Sequence, residues 1–159
     1  MDQKKLSRWL KAMCLLIAVC GIVVYAGIIP FYGASIAEAN PEFAFAYWPW
    51  LVFLWGTAVP CYIALFIAWK VFDRIGNDES FCEENAKGLR KISVLAVIDV
   101  VYFFIGGLIL MFANMSHPGV FLLSLLFVAL GIAVAVVSAA LSHLIYKAVQ
   151  IKEENDLTV

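Results

Sequence analysis

The stretch Ala12–Ile29, AMCLLIAVCGIVVYAGII, carries no charged residue and follows directly on a basic N-terminal arm. Its length is close to the roughly 20 apolar residues that cross about 30 Å of hydrocarbon as an α-helix. It is longer than the apolar core of a secretory signal peptide, and Gly33-Ala34-Ser35 would be only a weak cleavage site after it. We therefore interpret this stretch as a retained membrane span.

The composition of the whole chain agrees with a membrane environment. Of 159 residues, 64% are hydrophobic and 14% charged, and the mean hydropathy is +0.93, whereas soluble domains carry about 25% charged residues. In hydrocarbon each spanning segment must satisfy its own backbone hydrogen bonds, so every span should be helical. The sequence therefore predicts an all-α integral membrane four-helix bundle, one membrane domain over residues 1–159, with spans at about 12–29, 48–72, 92–113 and 119–146.

The basic residues predict the orientation of this domain. All eleven Lys and Arg residues lie in the N-terminal arm, around the connection 73–91, or in the tail 147–159. The other two connections, 30–47 and 114–118, hold none. Because basic segments are retained in the cytoplasm, we expect both termini and the 73–91 loop to face the cytoplasm.

Polar residues within the spans are few, and Asp99, Tyr102 and His143 are the candidates for an intramembrane site. Asp99 could act in a proton or ion relay, since a carboxylate within a span is costly and often functional. It could equally make a hydrogen bond that packs helices, and His143 could meet it to form a pH-sensitive pair. The hydroxyl partners considered for that packing bond are Tyr62, Tyr102, Ser138 and Ser142.

Two further features of the spans leave alternatives open. The aromatic segment Tyr47-Trp48-Pro49-Trp50 suits anchoring at the headgroup level, or else a lipid- or peptide-binding lip. Gly106-Gly107 in the third span, and Gly131 with Ala135 in the fourth, favour close helix packing. The sequence does not decide whether these small residues pack within one chain or between copies in a homo-oligomer.

The connection 73–91 predicts a short amphipathic helix at the inner membrane surface, running into the third span. Asp78-Glu79-Ser80 resembles a helix start, and acidic residues in the first turn with basic ones at the end complement the helix dipole. This segment and the tail are the candidate docking surfaces for a cytoplasmic protein. The docking residues that we single out are Phe81, Glu84, Asn85, Leu89, Arg90, Glu153, Glu154, Asn155, Asp156 and Leu157.

The pattern Phe81-x-x-Glu84-Asn85-x-x-x-Leu89-Arg90-x-Ile92, together with the ending Lys152–Val159, resembles the YoaS-like bacterial membrane proteins of unknown function. The resemblance covers nearly the whole chain in length, span number and loop order. It implies four spans in a bacterial plasma membrane and pairing with a small helix-turn-helix regulator encoded alongside. It brings no established activity and no catalytic residue.

No arrangement of residues typical of an enzyme occurs in the sequence: HExxH, GxSxG, the P-loop and CxxC are all absent. We expect no enzymatic activity, no metal or other cofactor, no direct binding of nucleic acid, and four cysteines that act only as small apolar residues. Our first hypothesis is a sensory or regulatory partner of a cytoplasmic protein. The alternatives are a small ion- or proton-coupled transporter that uses Asp99, and an immunity protein against a membrane-active peptide.

Overall fold

The computed structural model describes residues 2–156, the last by its backbone only, and this part of the chain contains helices and no strand. Four continuous helical stretches are long and apolar enough to cross a membrane. This confirms the prediction of an all-helical chain with four spans. The elements are α1 (Gln3–Ile22), a π-helical segment (Val23–Ile28), α2 (Ile29–Ala39), a 3-10 helix (Pro41–Ala46), α3 (Tyr47–Gly76), α4 (Glu83–Phe112) and α5 (Pro118–Asp156).

The first connection differs from its predicted boundaries, because most of residues 30–47 is helical and continues the first span. Pro30 lies in the first turn of α2, directly after the π-helical segment. Proline cannot donate the usual backbone hydrogen bond, and the wider π turns before it allow the helix to continue through it. The stretch Gln3–Ala39 has 37 residues and is about 55 Å long at 1.5 Å per residue. It therefore extends beyond the hydrocarbon layer.

The predicted amphipathic helix is not confirmed as a separate element. Residues 83–91 form the first turns of α4, which runs without a break to Phe112. These turns pack against α3 through Gly88, where an added Cβ would lie 3.0 Å from Val71 Cγ2. The close contact with α3 keeps residues 83–91 in line with the span that follows.

Two tight caps join consecutive helices, one between α3 and α4 and the other between α4 and α5. Asp78 follows the last residues of α3 and Asn114 follows those of α4, and these two residues have positive φ angles of 66° and 56°. In each cap the amide of that residue donates to the carbonyl three residues back, and the next amide donates to the carbonyl five residues before it. This is the Schellman arrangement, in which Asp and Asn tolerate the left-handed conformation better than most side chains. The turn 114–118 is therefore a compact reversal of the chain direction between α4 and α5.

The helices of the predicted four-helix bundle are arranged as an open row. Within residues 2–156, α1 packs on α3, α3 on α4 and α4 on α5, whereas α1 approaches neither α4 nor α5 and α3 does not approach α5. The faces left uncovered are apolar, with many large side chains exposed. Hydrocarbon solvates such faces as well as a protein interior does, so no hydrophobic driving force closes the row.

Side chains that bond to backbone carbonyls set the antiparallel register of the row. Between α1 and α3, Ser7 Oγ donates to the Phe72 carbonyl at 2.5 Å, and Tyr62 Oη donates to the Ala18 carbonyl at 2.9 Å. Between α4 and α5, two serines do the same: Ser142 Oγ bonds to the Ala86 carbonyl at 2.7 Å and Ser93 Oγ to the Ala135 carbonyl at 2.8 Å. Such bonds are favoured in hydrocarbon because few other partners exist there.

This register brings all the basic segments to one end of the row. The beginnings of α1 and α4 lie beside the ends of α3 and α5, and these four segments carry the Lys and Arg residues. We call this the basic end. The opposite end, which we call the bare end, consists of α2, the 3-10 helix and the turn 114–118, and it carries no Lys or Arg.

Candidate functional site

Asp99 lies on α4 where that helix faces α3. Its Oδ2 accepts a hydrogen bond from Cys61 Sγ at 3.6 Å, and its Oδ1 is buried and has no partner among the described residues. The sequence predicted only an apolar role for Cys61, so this contact was not expected. The sequence contained a signal for this contact, since Cys61 lies 16 residues before Asn77 and Asp99 lies 17 residues after Cys82.

Three of the four hydroxyl groups considered as partners of Asp99, those of Tyr62, Tyr102 and Ser142, bond to backbone carbonyls and not to Asp99. Tyr102 Oη donates to the Phe53 carbonyl at 3.2 Å, and Tyr62 and Ser142 donate to the carbonyls already described. Each of these groups lies beside a backbone carbonyl of the neighbouring helix. Backbone carbonyls are present at every turn of the neighbouring helix, whereas the single carboxylate lies at one depth and points in one direction. A hydroxyl group within a span therefore meets a backbone carbonyl more often than it meets the carboxylate.

The predicted pair of Asp99 with His143 is also absent. Because Ser142 lies beside Ala86 on α4, His143 lies at the level of residue 85, near the basic end. Asp99 is further along α4, by roughly 20 Å at 1.5 Å per residue. The two side chains therefore occupy different depths of the row and are too far apart to contact each other.

His143 instead lines a groove between the start of α4 and the end of α5, at the basic end. The groove has a volume of about 510 Å³. On its α4 side, Lys87 Nζ forms an ion pair with Glu83 Oε2 at 3.0 Å, and Arg90 is exposed. We call this the basic-end groove, and its lining residues are Glu83, Ala86, Lys87, Arg90, Ala139, Ser142, His143 and Tyr146.

Asn85, one of the predicted docking residues, has no exposed surface. Its Nδ2 donates to the carbonyls of Glu79 and Ser80 at 3.0 and 3.1 Å, and its Oδ1 accepts from Arg74 Nη1 at 3.4 Å. The amide of Asn85 thus links the end of α3, through Arg74, to the connection between α3 and α4. In this conformation Asn85 shapes the connection and is not accessible to a partner protein.

The other docking candidates remain accessible to different degrees. Phe81 is 63% exposed on the connection, Glu84 and Arg90 are exposed, and Leu89 is half-buried. In the tail, residues 153–155 are exposed on the last turns of α5. The side chain of Asp156 and the whole of Leu157 lie outside the part that the structure describes.

A second cavity, of about 730 Å³, lies at the bare end between α2, α3 and the turn 114–118. We call it the bare-end cavity. Trp50 and Leu54 of α3 and Ala37 of α2 are among its walls, and Met115 contributes from the turn. The aromatic segment 47–50 indicated a binding lip as one alternative, but the cavity could not be predicted from it. The opposing wall belongs to α2, which the sequence indicated only as part of the connection 30–47.

Comparison with known proteins agrees with this picture of a membrane protein. The family described as "Protein of unknown function (DUF2975)" matches residues 33–159. The uncharacterized membrane protein YoaS of Bacillus subtilis (strain 168) is 29% identical over 153 residues, which cover 95% of this chain and 96% of that protein. No solved structure matches the chain. With four apolar helices and a family match over most of its length, the chain is a multi-pass membrane protein that belongs to the DUF2975 family.

Proposed function

We propose that this chain is a regulatory membrane partner that binds a cytoplasmic protein at its basic end. The observation that supports the proposal is the basic-end groove, a concave surface lined mainly by polar and charged residues, on a molecule whose helix faces are mostly apolar. The proposal takes the basic end to be cytoplasmic, as the distribution of Lys and Arg predicts.

The chemistry of this surface indicates what a partner would need. Arg90 offers a planar group with several donors, which suits a carboxylate on the partner. Phe81 presents an apolar ring on the connection next to the groove, and aromatic and Arg side chains are the commonest hot spots of protein interfaces. A partner segment with an acidic residue and an apolar pocket would fit both. By the resemblance to the YoaS-like proteins, a small helix-turn-helix regulator is the first candidate.

The proposal predicts that changing Phe81→Ala and Arg90→Ala together weakens binding of that regulator at least tenfold, since two hot-spot contacts are removed. The measurement is retention of the small helix-turn-helix protein that the resemblance implies, purified separately, on lipid nanodiscs that contain the full chain. Phe112→Ala is the matched control, because Phe112 is 79% exposed at the bare end. Equal retention by the double variant and the control would contradict the proposal, as would failure of the unchanged chain to retain the regulator.

A second candidate function, a proton-coupled carrier, is favoured by Asp99 alone. Its Oδ1 is buried without a partner in the described chain, which is an unusual state for a carboxylate oxygen within a span. Against this candidate, an open row encloses no path through a single chain. Several copies would have to assemble to form one.

The carrier hypothesis predicts that Asp99→Asn abolishes proton flux into proteoliposomes, because an amide cannot release a proton. Cys61→Ser, which keeps a donor beside Asp99 Oδ2, should retain most of the flux. A pH-sensitive dye inside the vesicles measures the rate in both variants. Flux that is the same for Asp99→Asn and the unchanged protein, or that is absent from the unchanged protein, would exclude the carrier.

A further inference from the structure

The basic-end groove lies at the depth of lipid head groups. On α4, Arg90 is two residues before Ile92, where the predicted hydrocarbon span begins, and Lys87 is five residues before it. At 1.5 Å per residue these two positions are about 3 and 7.5 Å outside the hydrocarbon. The head-group layer is roughly 5–8 Å thick on each side of a bilayer. The groove therefore opens within that layer, whichever leaflet contains the basic end.

The groove carries a positive charge that no neighbouring carboxylate neutralises. Among the described residues, three charged ones line it, and Lys87 Nζ is already paired with Glu83 Oε2 at 3.0 Å. Arg90 is exposed and makes no ion pair or hydrogen bond within the described part of the chain. Its guanidinium is always protonated and presents its donors in a planar fork that suits the oxygens of a phosphate. The groove therefore suits an anion with phosphate-like geometry.

Two uncharged groups on α5 can donate to the same anion. His143 and Tyr146 line the groove, and within residues 2–156 neither side chain has a hydrogen bond. The phenol O–H and a ring N–H of the imidazole are both donors at neutral pH. Ser142, by contrast, already donates its hydroxyl to the Ala86 carbonyl. Donors from two helices, α4 and α5, thus surround one space.

An apolar strip continues from the groove along the two spans. Val97 lies seven residues after Arg90 on α4, and Val136 lies seven residues before His143 on α5. Seven residues are close to two helical turns, so each valine is on the same side of its helix as the groove residue. The side chains of Val97 and Val136 are 50% and 61% exposed. A ligand whose phosphate occupies the groove can therefore place an acyl chain against them.

We propose that the basic-end groove binds an anionic phospholipid, with the phosphate near Arg90 and an acyl chain along Val97 and Val136. Basic pockets between membrane helices are suited to such head groups. A zwitterionic lipid would bring an ammonium group next to Arg90, and the carboxylate of Glu83 that could attract it is already paired with Lys87. The lipid and the carboxylate of a partner protein would compete for Arg90. The inference nevertheless does not rest on the regulatory function, because lipid binding is measured with no partner protein present.

The test measures the lipids that bind to the full chain by native mass spectrometry. The purified protein in dodecyl maltoside receives equimolar palmitoyl-oleoyl phosphatidylglycerol and palmitoyl-oleoyl phosphatidylcholine, which differ in the head group but not in the acyl chains. We expect the first bound lipid to be phosphatidylglycerol with a preference of about fivefold, the effect of one basic residue on an anionic head group. Arg90→Gln should remove this preference. Arg8→Gln, which removes a charge at the same end but on α1 and outside the groove, should retain it.

Two further measurements test the space in the groove and the source of the phosphate. Ala139→Phe should weaken binding of phosphatidylglycerol about tenfold by filling the groove, whereas Ala140→Phe, the next residue of α5 but outside the lining, should not. Inorganic phosphate in large excess, at constant ionic strength, should not displace the lipid, because it lacks the acyl chain. The proposal is overturned if the two lipids bind equally well, if Arg90→Gln and Arg8→Gln behave alike, if Ala139→Phe has no effect, or if inorganic phosphate displaces the lipid.

Discussion

Changing Asn85→Ala is expected to lower the free energy of unfolding by about 2–3 kcal/mol, since three hydrogen bonds are lost at roughly 1 kcal/mol each. The side chain is completely buried, and its amide connects the carbonyls of Glu79 and Ser80 with the guanidinium of Arg74. Alanine leaves all three groups without this partner and leaves a space beside them. Titration of the purified protein with a denaturing detergent, followed by circular dichroism, measures the change.

Two further variants make this result specific to the hydrogen bonds. Asn40→Ala is the matched control, because Asn40 is exposed and its amide bonds only to the carbonyl of Ile36 in the preceding turn. It should change the stability by less than about 0.5 kcal/mol, as surface substitutions usually do. Asn85→Asp keeps the shape but replaces the amide donors with an acceptor, so it should be at least as destabilising as Asn85→Ala. An Asn85→Asp protein as stable as the unchanged chain would show that the two donated bonds are not the cause.

Changing Gly106→Ala is expected to destabilise the protein by about 2 kcal/mol, although alanine favours a helix by nearly 1 kcal/mol over glycine. A Cβ on Gly106 would overlap the ring of Phe53. That ring is only 8% exposed, and it stacks on Tyr102 and Phe103 with centroid distances of 5.4 and 5.5 Å. Because Phe53 is held on both sides, α3 and α4 must move apart to accommodate the added methyl group.

Gly27→Ala is the control for this prediction, because a Cβ at Gly27 meets nothing within 4 Å. It should leave the stability unchanged or raise it by up to about 1 kcal/mol through helix propensity. The same detergent titration compares both variants with the unchanged protein. If Gly106→Ala were as stable as Gly27→Ala, the close approach of α3 and α4 at Phe53 would not contribute to the stability of the row.

Asn85 also shows how a sequence pattern can be informative about one property and misleading about another. Its place in the motif marked it as a docking residue, since a polar residue in a presumed surface segment is usually exposed. Whether an amide is exposed depends on the path of the backbone around it, and here the connection Asn77–Cys82 folds over it. Neighbouring Phe81 and Arg90 stay accessible, and the docking hypothesis now rests on them.

The open row has a similar explanation. Apolar stretches of the right length predict each span separately. The sequence of one span does not specify how many other helices pack against it. The glycines at positions 106 and 131 were recognised as packing residues, but the sequence did not decide between partners in the same chain and in another copy. The structure places Phe53 against Gly106 and Val100 against Gly131, both within one chain.

Local composition was sufficient to predict the membrane class, the number of spans, the helical state of each span, and the segregation of Lys and Arg into alternate connections. Each of these follows from the free energy of placing a short segment in water or hydrocarbon. The packing of the folded chain was needed to see which groups meet: Cys61 with Asp99, Asn85 with the connection 77–82, and α2 with α3 around the bare-end cavity. These contacts join residues far apart in sequence, and they depend on helix register and rotation, which hydropathy does not specify.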